Sequence, residues 1–223
     1  MTDTVYADIS EFQILVNDTY PHSFLAFRSN DADHKDLHFD ANLHWAEHAV
    51  KTRRLAGFIV YFVWRPGVQD GYPTLRAQLG NAHRPRMAIM IDVESWGGQI
   101  RGDHSAALNT VRHQIVSWLN HLRPAWQRGP LLAAWYRRQD RRRVIGYGNA
   151  GDLHEIWPTR PGVQIVLADY TRNPAAPVHL VHQYTDDGAC RPFGHCDLNS
   201  ADGLSPTGLA RKLGLMTLTS RLG

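Results

Sequence analysis

Two carboxylates two residues apart, Asp92 and Glu94, close the apolar run Met87-Ala88-Ile89-Met90-Ile91-Asp92-Val93-Glu94 before Trp96-Gly97-Gly98 interrupts it. Such a run reads as a short buried strand ending in a loop. Residues i and i+2 of a strand share a face, so both acids project together near its C-terminal end. Repulsion between them and the cost of burying charge both push a carboxyl pKa upward, which is how a general acid is kept protonated at neutral pH. The competing reading is an exposed edge strand whose acids face water.

The elements that would position this pair alternate strand and helix. Val5–Ser10, with Asp8 near its end, and Ser23–Arg28 read as strands. Asp36–Arg54 carries Phe39, Leu43, Ala46, Ala49 and Val50 at helical spacing. The run Gly57–Trp64 is apolar on both faces, as in a parallel sheet covered by helices. A helix over Tyr72–Leu79, the strand with Asp92, and a long helix over His104–Leu122 follow. Leu131–Gln139 extends the helical layer before strand Val144–Asn149 and a short helix Asp152–Trp157. Strands Val163–Tyr170, Val178–Tyr184 and Cys196–Asn199 complete the set with almost no helix between them. About eight strands, so ordered, predict an α/β fold: a single TIM-like (β/α) barrel with few helices in its last third. The barrel domain is expected over residues 1–206, with 207–223 a C-terminal tail or the start of a linker.

Barrel active sites lie at the strands' C-terminal ends. Asp8, Asp92, Glu94 and Asp197 all fall at or near such ends, so four acids far apart in sequence are expected to converge on one mouth.

Composition narrows the class. The 223 residues are 43% apolar, enough for a sizeable core, and 24 basic against 21 acidic residues give a net +3. That is too weak a bias for a nucleic-acid footprint. The basic run Arg137–Arg143 reads as a solvated helix face. No stretch reaches the ~18 apolar residues of a membrane span, and no basic-then-apolar leader opens the chain, so neither membrane insertion nor a secretion signal is expected. Cys190 and Cys196 could be free thiols or one loop-closing disulfide. With no Cys-x-x-Cys or His-Glu-x-x-His cluster, no metal site is expected.

Four motifs in order, Asp8-Ile9-Ser10, Phe39-Asp40-Ala41-Asn42, Ile91-Asp92-Val93-Glu94, and Gln183-Tyr184-Thr185 followed by Cys196-Asp197-Leu198-Asn199, make the chain resemble the glycoside hydrolase family 25 muramidases over roughly residues 5 to 200. It departs from the family pattern at Tyr6-Ala7, Phe62 and His182. The resemblance implies cleavage of the β-1,4 bond between N-acetylmuramic acid and N-acetylglucosamine in bacterial peptidoglycan, without a cofactor. It implies Glu94 as general acid, Asp92 assisting, and Asp8 and Asp197 completing the catalytic set. Without a leader, the chain looks more like a phage endolysin's catalytic domain, a monomer made in the host cytoplasm and acting on the wall after release.

Sugar rings stack their apolar faces on aromatics. Tyr61, Tyr147, Tyr170 and Tyr184, all at strand ends, are the expected substrate platform, with Gln183 hydrogen-bonding an acetamido or hydroxyl group. Trp64 and Trp96 are lesser candidates, and Arg28 is expected at the site, paired with an acid of the cluster. Two other readings are consistent with the acids: a metal-dependent phosphodiesterase on the same barrel, or a wall-binding module without catalysis.

Overall fold

The computed structural model describes residues 3–67, 71–173 and 179–215. Among them are strands β1 (Thr4–Ile9), β2 (Phe24–Asp31), the two-residue β3 (His34–Lys35), β4 (Gly57–Val63), β5 (Met87–Asp92), β6 (Val144–Asn149), β7 (Ile165–Ala168), β8 (Val181–Cys190) and β9 (Gly194–Ala201). All but β3 form a closed ring in the order β1-β9-β8-β7-β6-β5-β4-β2, sealed by pairing of β1 with β2. The expected eight-stranded barrel is therefore present. Val178, expected to begin a strand, and residues 216–223 of the expected tail lie outside the described residues.

Neighbouring strands from β1 round to β8 run parallel, whereas β9 is antiparallel to both β8 and β1. The cause is the short hairpin through Arg191-Pro192-Phe193, which can only reverse the chain. This corrects one expectation. Asp197 reaches the mouth from the first half of its strand, not from a C-terminal end, and lies directly opposite Asp8 in the register.

Strand alternation sorts the side chains into two shells. Tyr6, Phe24, Ala26, Ile59, Ala88, Met90, Ile145, Val166, Val181 and Ala201 fill the barrel. Ile9, Leu25, Phe27, Phe58, Val60, Ile89 and Ile91 face outward onto the helices. Those helices are α1 (Phe39–Lys51), α2 (Tyr72–Leu79), α3 (Ser105–His121), α4 (Pro130–Arg142) and α5 (Ala150–Glu155). A last helix, α6 (Pro206–Lys212), opens on Ser205, whose Oγ accepts the Gly208 N–H at 3.1 Å, with Pro206 in its first turn. It carries Leu209 and Ala210, followed by Leu213 and Leu215, into the base of the barrel, where all four are buried. Each buried leucine there contributes roughly 1.5–3 kcal/mol. Among the described residues no helix is long and apolar enough to cross a membrane.

The basic run at 137–143 is not one solvated face. Arg137, Arg138 and Arg141 are exposed, but Arg143 is fully buried and ion-pairs with buried Asp140, as does Arg123. Helical periodicity turns every third or fourth residue of the run inward. Arg143 donates to the carbonyls of Met87, at 2.9 Å, and Arg84, at 2.5 Å, so α4 is fastened to the start of β5.

Candidate active site

Asp8, Arg28, Tyr61, Val63, Met90, Asp92, Glu94, Trp96, Tyr147, Gln183 and Asp197 line a cavity of about 150 Å³ at the C-terminal mouth of the barrel. The four acids expected to converge do so. Asp92 is the last residue of β5 and pairs in register with Val63 on one side and Tyr147 on the other. Glu94 lies two residues past the end of β5 rather than on it, half-buried where Asp92 is buried.

The loop holding Glu94 is fixed by Asp152. Its Oδ2 accepts the Ser95 N–H at 2.9 Å and the Asn149 side-chain amide at 2.9 Å, while the Asn149 Oδ1 caps α5 by accepting the Asp152 N–H at 2.9 Å. On the other side Arg65 makes a two-pronged ion pair with Asp31, at 2.6 and 2.8 Å, and its guanidinium lies 4.3 Å from the ring centre of Trp96. Trp96 itself has φ of 50°, a left-handed backbone that costs a non-glycine residue on the order of 1 kcal/mol or more and is found preferentially at functional sites.

Burial dominates the electrostatics. The Asp8 carboxyl is pushed well above the usual range by desolvation, then by Asp197 and Glu94, against the Tyr61 hydroxyl and Arg28. Asp92 is raised well above it by desolvation, then by Glu94, Asp8 and Asp31. Glu94 is raised by desolvation, then by Asp152 and Asp31, with Arg65 opposing. Asp92 and Glu94 thus titrate as a pair that holds a proton to higher pH than an isolated carboxyl would. One oxygen each of Asp8 and Asp92 is buried without a hydrogen-bond partner. Unpartnered acceptors of this kind favour the protonated form.

Asp197 is raised to about 7, by desolvation and then by Asp186 and Glu94. Its folded form binds a proton more tightly than the unfolded chain does, so stability falls as pH rises from the ordinary carboxylate range, about 4, towards about 7. Asp197→Asn is therefore expected to raise the melting temperature at pH 8, with the gain gone by pH 4. Calorimetry at the two pH values checks this, and a difference that does not change with pH would overturn it.

The aromatic platform is partly as expected. The Tyr147 and Tyr170 hydroxyls both donate to the Gln183 Oε1 at 2.8 Å, and the Gln183 Nε2 lies 3.5 Å from the Asp197 Oδ2. Tyr61 lines the cavity and donates to the Ile9 carbonyl at 3.2 Å. Tyr184 does not belong to the cavity. One residue on from Gln183, it turns to the opposite face of β8 and packs on the outer core. Trp64 is buried against His104, while Trp96 lines the cavity. Arg28 lines the cavity too, but its partners are Glu11 and Asp36, each at 3.1 Å, not an acid of the cluster.

Phe62 and His182, two of the departures noted in the sequence, face the outer side of the barrel. Phe62 is buried in the outer core and His182 bonds the Asp169 carbonyl at 2.7 Å. The residues sequence reading missed are Asp31, Arg65 and Asp152. Only Asp152 had a local signal, the Asn-x-x-Asp spacing of a helix cap after Asn149.

No family model matches the chain. It is 37% identical over 229 residues to the uncharacterized protein Rv3766 of Mycobacterium tuberculosis, covering 97% of this chain and 76% of that one. Its structure is similar to a bacterial lysozyme from Streptomyces coelicolor, at TM-score 0.60 and 16% identity over 96% of this chain and 99% of that one. It is likewise similar to a family 25 glycosyl hydrolase from Bacillus anthracis, at TM-score 0.61 and 14% identity over 89% and 88%. The catalytic domain of endolysin ply40 from bacteriophage P40 of Listeria monocytogenes matches at TM-score 0.58 and 15% identity over 96% and 98%. These chains share a fold with it, and by its 37% identity the chain belongs to the same family as the mycobacterial protein Rv3766.

Proposed function

We propose that this protein is a peptidoglycan hydrolase, an N-acetylmuramidase that cleaves the β-1,4 bond between N-acetylmuramic acid and N-acetylglucosamine. The observation that carries the reading is the meeting of Asp8, Asp92, Glu94 and Asp197 on one cavity whose burial and mutual repulsion hold protons at raised pH. Glycoside cleavage needs a protonated carboxyl beside the leaving oxygen and negative charge near the developing oxocarbenium ion. Glu94, the half-buried member just past the end of β5, is the general acid. Asp92 shares its proton balance, and once Glu94 has given up its proton the pair supplies the charge that stabilises the cation or orients the substrate's acetamido group. Asp8 and Asp197 hold the remaining charge and hydrogen bonds of the site. Tyr61, Tyr147, Tyr170 and Gln183 bind the sugar, with Arg28 behind them.

The fold shared with the Streptomyces and Bacillus proteins supports a cell-wall substrate, and the ply40 likeness supports action as an endolysin that opens a host wall. The test is digestion of purified peptidoglycan with chelator present and mass spectrometry of the products. Fragments ending in reducing N-acetylmuramic acid are expected. Fragments that form only with added divalent metal would point to the metal-dependent alternative, and binding without fragments to a non-catalytic module.

Asp152→Asn gives a second, narrower result. Asp152 is the largest charge raising Glu94, so removing it lowers the Glu94 pKa, and activity, which needs protonated Glu94, is expected to fall off at lower pH than in the wild type. An alkaline limb at the same pH in both would contradict this role.

A further inference from the structure

Six large apolar side chains stand in solvent among the described residues, and four of them, Phe12 (81% exposed), Ile14 (57%), Leu15 (45%) and Leu37 (82%), belong to two adjoining stretches at the mouth. The stretches are the loop that leaves β1 and the turn that leads into α1. Exposure here is not slackness. The Glu11 N–H donates to the Asp36 Oδ2 at 2.8 Å, and the Leu37 N–H to the Glu11 Oε2 at 3.0 Å. His38 Nδ1 bonds the Gln13 carbonyl at 2.9 Å, and the Val16 N–H donates to the Asn42 Oδ1 at 3.2 Å. A backbone so closely tied holds Phe12 and Leu37 out of the core as a preformed ledge.

The ledge is continuous with the acid-lined cavity through Arg28. That side chain lines the cavity, is locked by its bonds to Glu11 and Asp36, and places its guanidinium 5.3 Å from the ring centre of Phe12. The cation fixes the ring's attitude and leaves most of its surface to solvent. The cavity, about 150 Å³, is smaller than the ~300–1,000 Å³ of sites that engulf a whole small ligand. A polymer cleaved there must lie mostly on the surrounding surface. In the strand order, β1 and β2 lie across the ring from β6 and β7, which carry Tyr147 and lead to Tyr170. A chain crossing the acids from the β6 side therefore leaves over Phe12 and Leu37.

We propose that Phe12 and Leu37 form a second sugar subsite, on which a pyranose ring of the same glycan strand stacks beyond the ring held in the cavity. The inference rests on the glycan-hydrolase reading above. An aromatic face matches the axial C–H face of a pyranose, and Leu37 extends the apolar contact. The subsite adds affinity for the polymer without touching the bond that breaks.

The experiment uses the full chain carrying Glu94→Gln, which binds without cutting, and adds Phe12→Ala, Phe12→Trp or Leu37→Ser. Co-sedimentation with insoluble purified peptidoglycan is expected to show about three- to tenfold weaker binding for Phe12→Ala, a smaller loss for Leu37→Ser, and retention for Phe12→Trp. In the Glu94 background, Phe12→Ala is expected to raise KM on the polymer by the same factor and to leave kcat on the shortest fragment the wild type cleaves. Binding unchanged in Phe12→Ala would overturn the subsite while leaving the hydrolase reading intact. An equal loss of kcat on polymer and short fragment would overturn it as well, assigning Phe12 a structural role. A wild type that neither binds nor cuts peptidoglycan would overturn the hydrolase reading itself, and binding of the ledge to lipid vesicles or to protein instead would reassign its occupant.

Discussion

Glu94→Gln is expected to slow wall hydrolysis by about 10²–10⁴-fold, the usual worth of a positioned general acid, while the protein melts no lower than the wild type. The substitution keeps the shape and both polar atoms of the side chain but removes the proton that the leaving oxygen must receive. It also removes one of the charges that keep Asp92, Asp8 and Asp197 raised, so their ionisation becomes easier and the crowded mouth loses repulsion. Sites of this kind store instability for function, and neutralising one member relaxes it. Two readouts are needed together: release of reducing ends from peptidoglycan, and a thermal melt at pH 7. Activity within about threefold of wild type would end Glu94's assignment as the acid, whatever the melt shows.

Much of this site was legible because its signals are short-range and periodic. Position at or near strand ends marked Asp8, Tyr61, Asp92, Tyr147 and Gln183, and the order of elements implied a barrel whose mouth would collect them, as the structure does on its inward faces. Reading failed where position depends on the third dimension. Tyr184 and Gln183 are adjacent in sequence, and a strand sends adjacent residues to opposite faces, so both could not line one cavity. Arg28 was expected beside the acid cluster and does line the cavity, but its partners Glu11 and Asp36 come from loops with no pattern of their own. The direction of β9 was hidden in a three-residue connection. The segment from His104 to Arg143 had no functional reading, because what it builds is a polar junction at the barrel's base, and buried ion pairs leave no periodic trace.

That junction supports the second large effect. Asp140→Asn is expected to destabilise the protein by roughly 3–5 kcal/mol, as when one partner is removed from a buried ion pair. The Asp140 carboxylate is fully buried and is gripped from two sides: by Arg123, through bonds of 2.8 and 2.5 Å, and by Arg143, at 3.2 Å. Arg143 is itself fully buried, and desolvation pulls its pKa down to about 10 even with Asp140 beside it. Asparagine leaves two guanidinium groups facing one neutral oxygen in a fully buried junction. At ~2–4 °C of melting temperature per kcal/mol for a chain of this size, the loss is about 10 °C. Asp18→Asn is the internal control. Asp18 also pairs with an arginine, Arg54, at 3.0 Å, but it is 82% exposed, and removing such a pair costs roughly 0–1 kcal/mol. Equal melting temperatures for the two variants would mean that the base junction is solvated and contributes nothing, and the fastening of α4 to the start of β5 would have to be explained by apolar packing alone. Because the junction lies at the opposite end of the barrel from the acids, Asp140→Asn protein that is still folded at 25 °C should hydrolyse peptidoglycan at the wild-type rate, which separates loss of fold from loss of chemistry.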